Sequence, residues 1–388
     1  MDAIPAVSHG HSHRGPSPAR PAAKRALVIA MAVLALAAGI GVFGLWPRNA
    51  PALQNWLDPA ASLAAGTITT LVPDDGAGGH FVVLLDSGAT MDVPADASAP
   101  LSDTRVGQRV QVIINPDHSA TFFDFERGAP LLLLALLFVA AVVFVAGWKG
   151  LAALVGLATA LAIVWGFTLP ALAGGGDPLL VALVTAAVVM FAVVYLAHGI
   201  SVKTSTALLG TFAGIVLVAA LAALAIPATS LTPLQDEVMA QLPSQFPGIN
   251  VRGILLCGMV LAGVGVLNDV TITQASAVWE LRDAAPKASR ADVFTQAMRI
   301  GRDHIASTVY TIAFAYVGTA MAMLLLASRL NFTVLQLLTF NTIAQEIVAT
   351  LVASIGLVVT IPLTTALAAW LAAPQVQPRR LAEDAAEE

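Results

Sequence analysis

The chain has 388 residues, 57% of them hydrophobic and only 11% charged, against about 25% charged in a soluble globular protein. Repeated charge-free windows approach or reach the length of a bilayer crossing, about 20 apolar residues, so the class is a polytopic membrane protein and not a soluble domain. The net charge of −5 identifies no partner, because Lys and Arg in such a chain are distributed by topology. The single cysteine, Cys257, excludes an intrachain disulfide.

Residues 1–25 are rich in Pro, Ser, His and Ala and carry Arg14, Arg20, Lys24 and Arg25 before the first apolar run. They read as a disordered cytoplasmic tail. The segment HGHSH sets His9, His11 and His13 close together; it is either a loose ligand set for a divalent metal or a tail with no metal role. Residues 26–46 form the expected first crossing, a retained anchor, since the run is long and lacks an A-x-A-like cleavage site near its end.

Residues 50–128 are the one region able to form a soluble domain. Short β-rich runs at 67–72, 81–85, 90–93, 108–114 and 120–125 are separated by the turn-forming segments DDGAGG, DSG, PADASAP and NPDHS. Five such strands predict a small β-barrel-like domain of the oligonucleotide/oligosaccharide-binding type. Nucleic acid is not an expected partner, because the region is not basic and lacks an interleaved aromatic and cationic face. The domain either binds a ligand or envelope partner, or caps the membrane bundle.

Seven further crossings are expected at about 130–147, 150–169, 178–197, 204–226, 251–270, 306–327 and 347–371, followed by a cytoplasmic tail at 372–388. With the N-terminus inside, thirteen of the nineteen Lys and Arg fall on the cytoplasmic side. The exceptions are Arg48, Arg105, Arg109, Arg127, Arg252 and Arg329, most of them in or beside the β domain. The positive-inside rule thus favours an α-helical polytopic protein of about eight transmembrane helices with both termini cytoplasmic. The β domain is then extracytoplasmic, inserted after the first helix, and residues 130–371 form a seven-helix bundle. Residues 227–250 read as a surface loop with one short amphipathic helix. Residues 331–346 are too apolar for a plain loop and too polar for a span, and read as re-entrant or interfacial.

Polar residues gather in three places. The helix over 251–282 turns from apolar to polar at Asn268, Asp269, Thr271, Thr273 and Gln274, with no Pro or Gly to stop it. An aspartate in or just beneath a span is costly and marks a site by default; the alternative is a helix leaving the bilayer at Asn268. Near the same membrane face the chain places His198 and Lys203, then Arg302, Asp303 and His304. These either share a proton or cation with Asp269 or form a structural ion-pair network. In the last helix, Thr342, Glu346, Thr350 and Ser354 recur at a spacing of four, beside Gln345. That stripe either lines a polar path or hydrogen-bonds a neighbouring helix. For helix packing, Gly210 with Gly214 and Gly258 with Ala262 are small-residue pairs. Walker A, H-E-x-x-H, G-x-S-x-G and dinucleotide motifs are missing from the sequence, so no enzyme and no cofactor are expected.

The segments GWKGLAALVG, YLAHGISVKTSTALLGT, GVGVLNDVTITQASAVWELR, RIGRDHIAS and QEIVATLVASIGLVVTIPLTT resemble, in the same order, the YibE/F-like family of bacterial multispan membrane proteins. The resemblance runs over roughly residues 60–371. It implies an extracytoplasmic β domain followed by a membrane bundle and supplies no mechanism. Where that family shows G-x-L-D-D, this chain has Leu267, Asn268 and Asp269; where it shows A-E-E-I, this chain has Ala344, Gln345, Glu346 and Ile347. One carboxylate remains at each place, which disfavours a two-carboxylate metal cage. The expected function is transport of a small solute or ion across the bacterial cytoplasmic membrane, with Asp269 as the coupling residue and Glu346 on the access path. The rival is a non-transporting scaffold or sensor whose β domain captures an envelope partner. The sequence assigns no oligomeric state.

Overall fold

The computed structural model describes residues 21–48, 57–73, 79–233, 237–330 and 332–372. His9, His11 and His13 lie outside the described residues, as does the tail from 373. Two compact units divide the chain: Ala52–Leu151, and Met1–Pro51 together with Ala152–Glu388.

The first unit holds one five-stranded antiparallel sheet: β1 (Ser62–Pro73), β2 (Gly79–Leu85), β3 (Thr90–Pro94), β4 (Arg109–Ile114) and β5 (Ala120–Phe125). The strand order is β3-β2-β1-β4-β5. The two edge strands, β3 and β5, approach each other, so the sheet is curled. Register shifts in β1 between Ile68 and Thr70, and in the β4–β5 pair between Gln111 and Val112, supply local bending. Alternation builds the core. In β2, Phe81, Val83 and Leu85 are buried while Leu84 faces out, as the two-residue period of a strand requires. Phe81 meets Phe122 edge-on at 6.0 Å, and Phe122 meets Phe125 at 5.1 Å.

Arg109 fastens the outer surface of this sheet. Its guanidinium donates to Asp86 Oδ1 and Oδ2 at 2.6 and 2.9 Å, and to Glu126 Oε2 at 2.6 Å. The Arg109 hydrogen bonds hold the Asp86 carboxyl below its ordinary value of 3.8, and Arg127 does the same for Asp124. A carboxyl depressed in the fold stabilises it above the ordinary value, and that contribution disappears as pH falls through the folded value. Arg109→Met is therefore expected to lower the unfolding midpoint of this unit at pH 6 more than at pH 3. Thermal unfolding followed at both pH values checks it; an equal loss at the two would separate Arg109 from Asp86.

The helices are α1 (Pro21–Leu45), α2 (Gly128–Ile163), α3 (Leu169–Ala173), α4 (Pro178–His198), α5 (Val202–Ala228) and α6 (Glu237–Gln245). After them come α7 (Val251–Ala284), α8 (Arg290–Thr319), α9 (Met321–Ser328), α10 (Val334–Thr339) and α11 (Asn341–Leu371). Among the described residues six are long and apolar enough to cross a membrane, taking α2, its π turn and α3 as one run; a seventh arises if α8 and α9, bent by 65°, form one span.

Several boundaries differ from expectation for identifiable reasons. The first helix starts at Pro21, so residues 21–25 of the expected tail are helical; proline suits a first helical turn because its φ is preset and its missing N–H is not needed there. The two crossings expected at 130–147 and 150–169 are two helical stretches that meet at a kink inside α2, where Gly147 adopts φ 57° and ψ −136°, a conformation open to glycine because it has no Cβ. The span expected at 306–327 breaks at Ala320. Within the segment expected to be re-entrant or interfacial, Thr333 and Gln336 cap the short α10 reciprocally, and α11 begins at Asn341. The short helix expected within 227–250 is α6.

The centre of the second unit is a bundle of α5, α7 and α11, with α8 and α4 against it. Ser201 and Thr204 form a capping box at the start of α5, and the Asn250 side chain accepts from Gly253 N–H at the start of α7. Glycines set the register. Gly210 lies against Thr364 and Gly214 against Thr360 and Leu267, while Gly263 and Gly356 both receive Val218. α5 is thereby antiparallel to α7 and α11, which run parallel to each other. The pair Gly258–Ala262 packs nothing: both are exposed, and a Cβ at Gly258 would meet open space. Small size permits close approach, but only a facing helix makes use of it.

Candidate functional site

The polar run of α7 does not end the helix, which continues unbroken to Ala284. Thr271 and Gln274 point into the bundle and are fully buried. The Thr271 and Thr211 hydroxyls share a hydrogen bond of 2.6 Å between α7 and α5, and Thr365 Oγ1 donates to Gln274 Oε1 at 2.9 Å between α11 and α7. Thr360 and Thr364 add further buried hydroxyls beside Gly214 and Gly210. Together they form a polar seam through the tightest part of the bundle.

The seam is incompletely satisfied. Gln274 Nε2, Thr364 Oγ1 and Asn268 Oδ1 are buried with no hydrogen-bond partner, although nearly all buried polar atoms in folded proteins have one. Gly301 of α8 brings backbone beside Gln274; a Cβ there would lie 3.1 Å from Nε2 and press on Ile361. An unpaired amide N–H and hydroxyl in one buried layer are the arrangement that a water, a polar solute or a desolvating ion completes.

Asp269 stands outside this layer. Its side chain is 75% exposed, and Oδ2 lies 3.5 Å from His304 Nε2 on α8, without hydrogen-bond geometry. It sits about 27 Å along α7 from Val251 at about 1.5 Å per residue, close to the roughly 30 Å depth of a hydrocarbon core. Asn268 is half-buried beside it. The Thr273 hydroxyl is turned to the Asp269 carbonyl at 2.8 Å, and so serves its own helix. Of the other expected partners, His304 reaches Asp269. His198 and Asp303 are exposed and Lys203 is half-buried.

Glu346 is remote from Asp269. The Gln274–Thr365 bond and the Gly301–Ile361 contact set Asp269 near the level of Ile361; Glu346 lies higher on α11 by about 22 Å, at about 1.5 Å per residue. The expected stripe of α11 is partly spent locally: Thr350 Oγ1 donates to Glu346 O at 2.7 Å, Thr342 is exposed and Gln345 half-buried. Ser354 Oγ is buried without a partner. Among the described residues no group of three or more His, Cys, Asp or Glu is placed to hold a metal ion.

Sequence reasoning singled out Thr271 and Gln274 but missed their partners Thr211 and Thr365, and Thr364, which lies against Gly210. The available signal was the matching period of four in Gly210/Gly214 on α5 and Thr360/Thr364 on α11. It also missed Arg282, which is fully buried and donates through Nη1 to Ala288 O at 2.6 Å, tying the end of α7 to the turn before α8.

The YibE/F-like protein family matches residues 134–374, well over half of the chain and all of the seam. The chain belongs to the YibE/F-like family. The match begins within α2, so the sheet lies outside it, whereas the resemblance read from the sequence starts at about residue 60. No curated protein and no solved structure matches the chain. Within this YibE/F-like region fall every seam residue, Asp269, His304 and Glu346.

Proposed function

We propose that this membrane protein is a permease-like carrier of a small solute or ion, and that the seam between α5, α7, α8 and α11 is its path. The observation that carries the reading is the set of unpartnered buried atoms at Gln274, Thr364 and Asn268, since an unsatisfied polar atom in a membrane bundle costs stability that a purely structural seam avoids. Asp269 and His304 then stand at one mouth of the path, as the charged pair that meets the cargo first. Glu346 lies toward the other face.

In this reading the chain crosses the bacterial cytoplasmic membrane eight times, with both termini cytoplasmic and the sheet extracytoplasmic. The Gly147 break supports counting the run from Gly128 to Ala173 as two crossings, and the α8–α9 pair as one. The Lys and Arg distribution supports the orientation. No reaction and no cofactor is part of it.

The test is thermal unfolding of the purified protein in detergent across a panel of cations, anions and small polar solutes. A ligand that binds only the folded state adds about 2.7 kcal/mol at a hundred times its dissociation constant, whatever the direction of transport. The expected result is one ligand class that stabilises the wild type and loses its effect in Asp269→Asn and in Gln274→Leu. The same shift in both variants, or no shift across the panel, would sink the seam as a path.

A further inference from the structure

A second site lies at the corner where α7 turns into α8. Arg282, near the end of α7, is fully buried. Its Nη1 donates to Ala288 O at 2.6 Å, which fixes the plane of the guanidinium. Nε and Nη2 are buried with no hydrogen-bond partner. These two nitrogens share one edge of the group, the side-on fork that grips an oxyanion. Arg290, the first residue of α8, is half-buried and has a buried, unpartnered nitrogen of its own, Nη2. Its charge lies near enough to that of Arg282 for the two to repel. The acidic residues closest in sequence, Glu280, Asp283 and Asp292, are all exposed, and the Asp292 carboxylate accepts from Ser289 in the cap of α8.

A guanidinium cannot shed its charge as a buried lysine or histidine can. Two of them enclosed beside each other are therefore costly until a counter-charge arrives. A water would satisfy an N–H and leave the charge. A halide offers one point of contact, and a carboxylate offers two oxygens in one plane. Three unpartnered nitrogens on two separate groups call for an anion with oxygens in several directions, and a tetrahedral phosphate has them. We propose that the α7–α8 corner binds a phosphate group, gripped by the Nε–Nη2 edge of Arg282 and by Arg290 Nη2. Arg282 stands about 46 Å along α7 from Val251 at about 1.5 Å per residue, past the roughly 30 Å hydrocarbon core, so the phosphate comes from water or from a lipid headgroup. Gln274 lies about 12 Å back along the helix, and the site holds or fails independently of the seam.

The full chain in neutral detergent is titrated with inorganic phosphate, with chloride at matched ionic strength, and with short-chain phosphatidic acid against short-chain phosphatidylcholine. The unfolding midpoint is the readout. Inorganic phosphate is expected to raise the midpoint where chloride does not. A rise with phosphatidic acid, absent with inorganic phosphate and with phosphatidylcholine, would assign the phosphate to a lipid headgroup instead of a solute. Arg282→Gln is expected to lose the rise. Arg290→Gln, which leaves the Arg282–Ala288 bond in place, is expected to lose most of it and covers the case in which Arg282→Gln fails to fold. No rise with either phosphate source, an equal rise with chloride, or a rise of wild-type size in either folded variant would overturn the proposal.

Discussion

Gly210→Val is expected to destabilise the bundle by about 1–3 kcal/mol, the usual cost of forcing extra atoms into a packed interior. A Cβ at this position would fall on the Thr364 hydroxyl, well inside contact distance. Two branched methyl groups must then push α11 away from α5, and the neighbouring Thr365–Gln274 and Thr211–Thr271 bonds lie in the same layer. Gly258→Val supplies the contrast, since nothing approaches Gly258 within 4 Å; its effect is expected to stay within about 0.5 kcal/mol, as for exposed positions generally. Unfolding midpoints of the two variants in the same detergent decide the matter. Equal losses would mean that the α5–α11 approach is not set by Gly210.

Phe81→Ala is expected to cost the sheet unit about 3–5 kcal/mol, the range for removing a buried aromatic ring. Phe81 is fully buried at the centre of β2 and carries the edge-on contact to Phe122. A five-stranded sheet of this size has a small core, so the loss is a large part of its stability. Limited proteolysis of the full chain is the measurement: cleavage within residues 57–125 should rise sharply. Leu84→Ala, on the exposed side of the same strand, should leave the cleavage pattern near that of the wild type. Comparable cleavage in both variants would contradict the assigned burial.

The two units were legible in the sequence to different degrees. In the sheet, the alternation of Phe81, Val83 and Leu85 with outward positions follows directly from a core on one side and water on the other. The expected strand positions at 81–85, 90–93 and 120–125 accordingly lie in β2, β3 and β5. In the bundle, apolarity located the helices but said little about their faces. Lipid and protein interior are both apolar, so a helix such as α5 or α7 carries almost no amphipathic contrast. Gly258–Ala262 therefore looked as good a packing pair as Gly210–Gly214, and only the facing helices separated them.

The same blindness governed the site. Charge and hydropathy picked out Asp269 and Glu346 as costly residues in spans, yet they could not say that Asp269 faces outward, that Glu346 lies elsewhere, or that Gln274 is the buried member of its run. By itself the sequence determined the membrane class, most strand positions and the family, because each is written in short local runs and motifs. Only the tertiary structure decided the seam and the Asp269–His304 contact, because each joins helices far apart in the chain through close approaches that leave no local periodic trace.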